Sequence, residues 1–91
     1  MPVPGDGASL IEYPSEFPIK VMGVRSDGFV EAIVALARRH DPTFDESKVE
    51  LRPSRAGNYL GITITITATS REQLDALYTE LSSHPLVKVV L

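Results

Sequence analysis

The sequence predicts an α+β fold in which two helices cover one side of a four-stranded antiparallel sheet. Three observations carry that expectation. Residues 59–68, YLGITITITA, alternate isoleucine and threonine, the period of a strand with one buried side. Residues 26–40 and 70–84 repeat apolar side chains every three or four positions, the period of an amphipathic helix. Shorter β-type runs precede the first helix, follow it, and follow the second, which gives the order β-α-β-β-α-β.

The first strand is expected at residues 17–24, FPIKVMGV. Phe17, Ile19 and Val21 alternate with Pro18, Lys20 and Met22. Pro18 has no N–H to donate, so the strand should start unpaired there, and Gly23 should end its regular part. In the helix over 26–40, Ser26 or Asp27 is placed to cap the first turn. Phe29, Ile33 and Leu36 form its apolar stripe, flanked by Val30, Val34 and Ala37. Arg38, Arg39 and His40 end it where the helix dipole favours cations. Asp41-Pro42 stops it, because a residue before proline avoids the helical region.

The second strand is expected at 47–53, with Val49 and Leu51 on one side and Lys48, Glu50 and Arg52 on the other. SRAG makes the turn, where Gly57 takes a positive φ and Asn58 tolerates one. In the third strand Leu60, Ile62, Ile64, Ile66 and Ala68 share the core side; Gly61, Thr63, Thr65 and Thr67 share the other. The second helix opens with Ser70 and Gln73 at capping-box spacing and buries Leu74, Leu77, Tyr78 and Leu81. The last strand, 85–91, turns Val87, Val89 and Leu91 inward and Lys88 outward. Two right-handed β-α-β crossovers joined by a hairpin give a ferredoxin-like two-layer sandwich with sheet order 4-1-3-2 and both helices on one face. Residues 1–12, rich in Pro and Gly, read as a flexible N-terminal leader and 13–91 as the single domain.

Composition removes several classes of function. Cysteine is absent, so disulfides, thiolate nucleophiles and cysteine metal sites are excluded. His40 and His84 stand in no metal-ligand spacing and read as helix-end residues. No phosphate-cradling glycine motif occurs, so neither a metal nor a cofactor is expected. The net charge of −3 opposes a nucleic-acid partner. Sheet-type RNA binders also need aromatics mid-strand, where this chain has Met22, Thr63 and Thr65, with Tyr59 only at the edge. No apolar run approaches membrane-spanning length and no secretory leader pattern is present, so the expected location is the cytosol. The open sheet face should carry Met22, Val24, Leu86 and Val90 besides the threonines, a mixed surface suited to a homodimer contact.

Two loops stand out. Ser54, Arg55, Gly57, Asn58 and Tyr59 form the first candidate surface: Arg55 suits a carboxylate, and backbone N–H groups near Gly57 suit an anion. Gly23, Val24, Arg25, Ser26 and Asp27 form the second, where free N–H groups at the helix start suit a carboxylate that Asp27 would oppose. Arg25 and Asn58 also resemble, in placement, the arginine and asparagine of small acylphosphatases. GVRSDGFV lacks that family's glycine-rich loop and its arginine immediately before the helix, so a hydrolase is the alternative and a purely structural or dimeric module a further one.

LIEYPSEFPIKVMG (10–23), VELRPSRAGNYLGITITITATSREQLDALYTEL (49–81) and VKVVL (87–91) resemble the YbeD family of small bacterial proteins of unknown function. The resemblance spans residues 10–91. It implies a ferredoxin-like fold similar to ACT domains, which are amino-acid-sensing regulatory modules, and it brings no established catalytic residues to carry across. Members are labelled lipoate regulatory proteins because their genes lie near lipoyl-transfer genes. The implied function is non-enzymatic: sensing of a small carboxylate, lipoate or an amino acid, or docking on a protein partner. The match of Pro53, Ser54 and Tyr59 to the family pattern exceeds what the turn alone requires.

Overall fold

A computed structural model describes residues 12–91, so the expected leader, Glu12 apart, lies outside the described residues. The elements are β1 (Ser15–Val24), α1 (Phe29–His40), a short 3-10 turn (Glu46–Lys48), β2 (Glu50–Pro53), β3 (Tyr59–Ala68), α2 (Arg71–Ser83) and β4 (Val87–Val90). The sheet runs β2-β3-β1-β4 with every neighbouring pair antiparallel, the order expected from the sequence. Its spine is the pairing of β1 with β3, unbroken from Ser15 opposite Ala68 to Val24 opposite Tyr59.

One side of that spine is the core. Ile19 and Val21 of β1 and Leu60, Ile62, Ile64 and Ile66 of β3 pack against both helices. From α1 come Phe29, Ile33, Val34 and Ala37, and from α2 Leu74, Leu77 and Leu81. Each fully buried isoleucine contributes about 1.5–3 kcal/mol by leaving water. Leu36 and Val30 are only partly buried, so the α1 stripe runs through Phe29, Ile33 and Ala37 rather than through Leu36.

Several boundaries differ from the expectation, each for a local reason. β1 begins at Ser15 rather than 17 and pairs with β3 through Pro18; it ends at Val24 as expected, with the break in its pairing to β4 falling at Met22 and Gly23. Pro18 is tolerated because its nitrogen faces the β4 side. On that side Lys20 exchanges two backbone hydrogen bonds with Leu91, and Pro18 lies beyond them on the same edge. α1 starts at Phe29, not 26. Neither Ser26 nor Asp27 caps it; the cap residue is Gly28, at φ 84°, after a turn in which the Phe29 N–H donates to the Ser26 carbonyl at 3.2 Å. Residues 46–48 form the 3-10 turn because the Asp45 carboxylate accepts the Ser47 N–H, which shortens β2 to 50–53. Leu51 is 52% exposed on that edge strand, although it lies opposite Ile62 on the core side.

β4 departs furthest. Val21 lies opposite Val90 and Met22 opposite Val89, but Gly23 lies opposite Val87. The extra residue is a β-bulge, and it reverses the side-chain alternation within the strand. Val87 and Val90 therefore pack on the core, while Val89 is 46% exposed and Leu91 is exposed, not inward. Leu86 also packs on the core. The open face carries Met22, Val24 and Val89, without Leu86 or Val90.

α2 is capped as expected. The Ser70 hydroxyl accepts the Gln73 N–H at 3.1 Å, while the Gln73 side chain takes the Thr69 N–H at 2.7 Å in place of that of Ser70. His84 serves the chain after the helix. Its Nδ1 accepts the Leu86 N–H at 3.1 Å, a neutral-ring role rather than the cationic dipole role expected for it.

Candidate functional site

The two candidate loops are one surface. β1 and β3 are antiparallel neighbours, so the end of β1 lies beside the start of β3. The Arg25 N–H donates to the Asn58 carbonyl at 3.0 Å. A Cβ placed on Gly57 would come within 3.4 Å of Arg25 Nη1, so the Arg25 guanidinium lies over the β2–β3 turn.

That turn is built from its own groups. The Ser54 N–H donates to the Tyr59 carbonyl at 2.9 Å, and the Ser54 hydroxyl accepts the Tyr59 N–H at 3.1 Å. The Gly57 N–H donates to the Ser54 carbonyl at 2.9 Å, and Gly57 holds φ at 81°. The amides that an anion nest at Gly57 would use are thus partly consumed by the hairpin, which corrects that expectation. Ser54 and Gly57 shape the turn, while Arg55, Asn58 and Tyr59 are exposed on it.

The second loop divides in the same way. Gly23 is structural: an added Cβ would collide with the Leu86 carbonyl oxygen and the Phe29 ring. The Val24 N–H donates to the Leu86 carbonyl. Arg25, Ser26 and Asp27 are exposed. No carboxylate cradle is assembled from Gly23 and Val24.

From this corner a groove of about 620 Å³ runs over the open sheet face, within the size range of small-molecule sites. Its cations are Lys20, Arg52 and Arg55; its carboxylate is Glu50; Met22 and Tyr59 supply apolar surface. Among the described residues none of Lys20, Arg25, Arg52 or Arg55 forms a salt bridge. Sequence reasoning put Arg52 and Gly61 on the open side but did not join them to the turn. Sheet order 4-1-3-2 makes β1 and β3 neighbours, but it is their register that sets Met22 opposite Gly61 and Lys20 opposite Thr63.

A polar cluster at the opposite end of β3 was not anticipated. Asp41, 3% exposed, accepts the Thr43 hydroxyl at 2.6 Å, the Thr43 N–H at 3.0 Å and the Thr67 N–H at 2.7 Å. Burial pushes its carboxyl up, and these three hydrogen bonds outweigh burial and hold it below its ordinary 3.8. The Gln73 amide donates to the His40 and Thr67 carbonyls, and the His40 ring meets the Glu80 carboxylate at 2.7 Å. This cluster ties the end of α1 to β3 and α2. Its role is structural, and no group of three or more His, Asp or Glu among the described residues is arranged to hold a metal. No helix among them is long and apolar enough to cross a membrane.

A UPF0250 protein of Leptothrix cholodnii is 71% identical over 91% of each chain. Another, from Ralstonia nicotianae, is 63% identical over 91% of this chain and 86% of its own. The fold is similar to the solution structure of protein HP0495 from H. pylori, at a TM-score of 0.73 and 16% identity over 89% of this chain and 85% of that one. It is also similar to the ACT domain from the GTP pyrophosphokinase of Chlorobium tepidum, at a TM-score of 0.63 and 15% identity over 84% of each. At those identities the likeness is one of fold, and it bears out the ACT-like ferredoxin arrangement. The family model described as protein of unknown function (DUF493) matches residues 8–91, and the chain belongs to that family.

Proposed function

We propose that the chain is a non-enzymatic regulatory domain of the cytosol that acts by binding a small carboxylate on its open sheet face. The observation that supports this reading is the convergence of the two loops. Arg25 lies over the β2–β3 turn, and that turn's Arg55 lines a groove that continues to Arg52 and Lys20, with Glu50 as the side-chain carboxylate among its lining residues. A cationic, partly apolar groove of this size favours a small anion with some apolar body. The whole chain carries a net charge of −3, so its excess negative charge lies outside this groove and disfavours a polyanion. The ACT-like fold is consistent with regulation by a bound metabolite. Lipoate enters through the label carried by the resembling family, amino acids through the ACT analogy.

An amide NMR titration with lipoate, octanoate and a set of amino acids tests the reading. Saturable shifts at Arg25, Arg52, Arg55 and Tyr59 are expected, with a stabilisation of about 2.7 kcal/mol at a hundredfold excess over Kd. No shift with any of them removes ligand sensing and leaves docking of a protein partner, or of a second copy through the open face, as the function to pursue.

A further inference from the structure

Four glycines lie in the elements and loops described, and three are explained by the fold. Gly28 and Gly57 hold positive φ at the start of α1 and in the β2–β3 turn. Gly23 leaves room for the Leu86 carbonyl and the Phe29 ring. Gly61 has neither reason. It sits in the interior of β3 on the open face, and an added Cβ would meet nothing nearer than the Arg52 carbonyl oxygen, at 3.4 Å. Glycine inside a strand weakens it, and its usual reasons are a bulge, a bend or the close approach of another group. The register runs unbroken through Gly61 on both sides, with β1 and with β2, so it serves no bulge. With the bulge excluded, the position of Gly61 on the open face points to the close approach of something outside the fold.

The neighbours of Gly61 describe what approaches. Straight across the sheet, the open face reads Arg52, Gly61, Met22, Val89 from β2 to β4. One end is a cation without a salt-bridge partner among the described residues. The middle is a notch, and the far end is two apolar side chains exposed at 47% and 46%. We infer that this row is the seat of an unbranched aliphatic carboxylate. Its head group pairs with Arg52, its chain crosses the Gly61 notch, and its tail lies on Met22 and Val89. Three strand spacings set the row at about 14 Å. At about 1.3 Å per bond, an extended chain of roughly eight to ten carbons fits between the guanidinium and Val89. The row itself carries no side-chain acceptor for an ammonium group, and Glu50 lies one row away, opposite Thr63; the apolar length of the row is what separates this ligand class from amino acids. The inference rests on the carboxylate reading above and deepens it.

The test is a titration of the wild-type chain and two variants with butyrate, octanoate, dodecanoate (each below its micelle concentration) and leucine. Gly61→Val fills the notch with a residue that suits a strand. Arg52→Gln removes the charge on an exposed edge and leaves the core untouched. Octanoate is expected to bind at least tenfold more tightly than butyrate or leucine, with no further gain for dodecanoate. Each variant should lose tenfold or more while its thermal unfolding stays cooperative. Octanoate binding that Gly61→Val leaves unchanged overturns the seat. Affinity that climbs by a constant factor through dodecanoate overturns it too, because that is unspecific partition. Binding of leucine without octanoate overturns this inference and leaves the carboxylate reading standing, whereas no binding by any of the four overturns both.

Discussion

Replacing Asp41 is the sharpest test of what holds the fold together. The carboxylate is 3% exposed and accepts three hydrogen bonds, two from backbone N–H groups on different elements. Asp41→Ala strands the Thr67 and Thr43 N–H donors together with the Thr43 hydroxyl. Stranding a buried donor costs about 1–3 kcal/mol, and Thr67 is the less accessible of the two residues. A loss of about 3 kcal/mol is therefore expected, against a total near 4–12 kcal/mol for a domain of this size. Asp41→Asn keeps one oxygen acceptor but points an amide N–H₂ at a donor, and should cost about 2 kcal/mol.

The same site sets a pH dependence. The folded carboxyl titrates below 3.8, so the unfolded chain takes up its proton first as pH falls. Stability from Asp41 is fully present above the unfolded value and is lost as pH drops through the folded one. Guanidinium unfolding at pH 7, and then from pH 5 to pH 3, measures both effects. Asp41→Asn should flatten part of the acid limb, while Asp45, also held low by hydrogen bonds from Ser47, keeps its own share. An Asp41→Ala chain within 0.5 kcal/mol of wild type at pH 7, or an acid limb unchanged in Asp41→Asn, would refute the reasoning.

The glycines give opposite expectations at two neighbouring positions. Gly23→Ala should cost about 3 kcal/mol or more, read as a drop in midpoint denaturant, because the Leu86 backbone and the Phe29 ring cannot both yield. Gly61→Ala should leave the midpoint unchanged or raise it; a large loss would show that the notch is structural. Gly57→Ala should cost about 1 kcal/mol for its left-handed backbone, measured the same way. Acetyl phosphate hydrolysis should stay at the buffer rate, and turnover abolished by both Arg25→Ala and Asn58→Ala would revive the hydrolase alternative.

What the sequence disclosed follows from how local each cause is. β3 was readable to its ends because ten residues of strict alternation admit one placement. The cap of α2 was readable because Ser70 and Gln73 lie three apart. β4 was misread because its alternation is reversed by a bulge opposite Met22 and Gly23, and the pairing of β1 with β4 that reveals the bulge joins residues more than sixty positions apart. The Asp41 cluster was missed for the same reason: its Thr67 donor is 26 residues away. The candidate loops were each legible, but their union depends on the register of β1 against β3.

That register also separates the site from the core. Every cation of the groove lies on an exposed residue, and Met22 and Val89 are half exposed on the face opposite the buried isoleucines. Truncating any of them removes little buried apolar area, so stability should stay within about 0.5 kcal/mol of wild type. Gly23, Phe29 and Ile64 behave in the contrary way, because they meet the core and not the groove. If that holds, folding alone gives this face little reason to gather cations that form no salt bridge among the described residues. On the reading proposed above, the arrangement of Arg52, Gly61 and Met22 answers to a ligand rather than to the core.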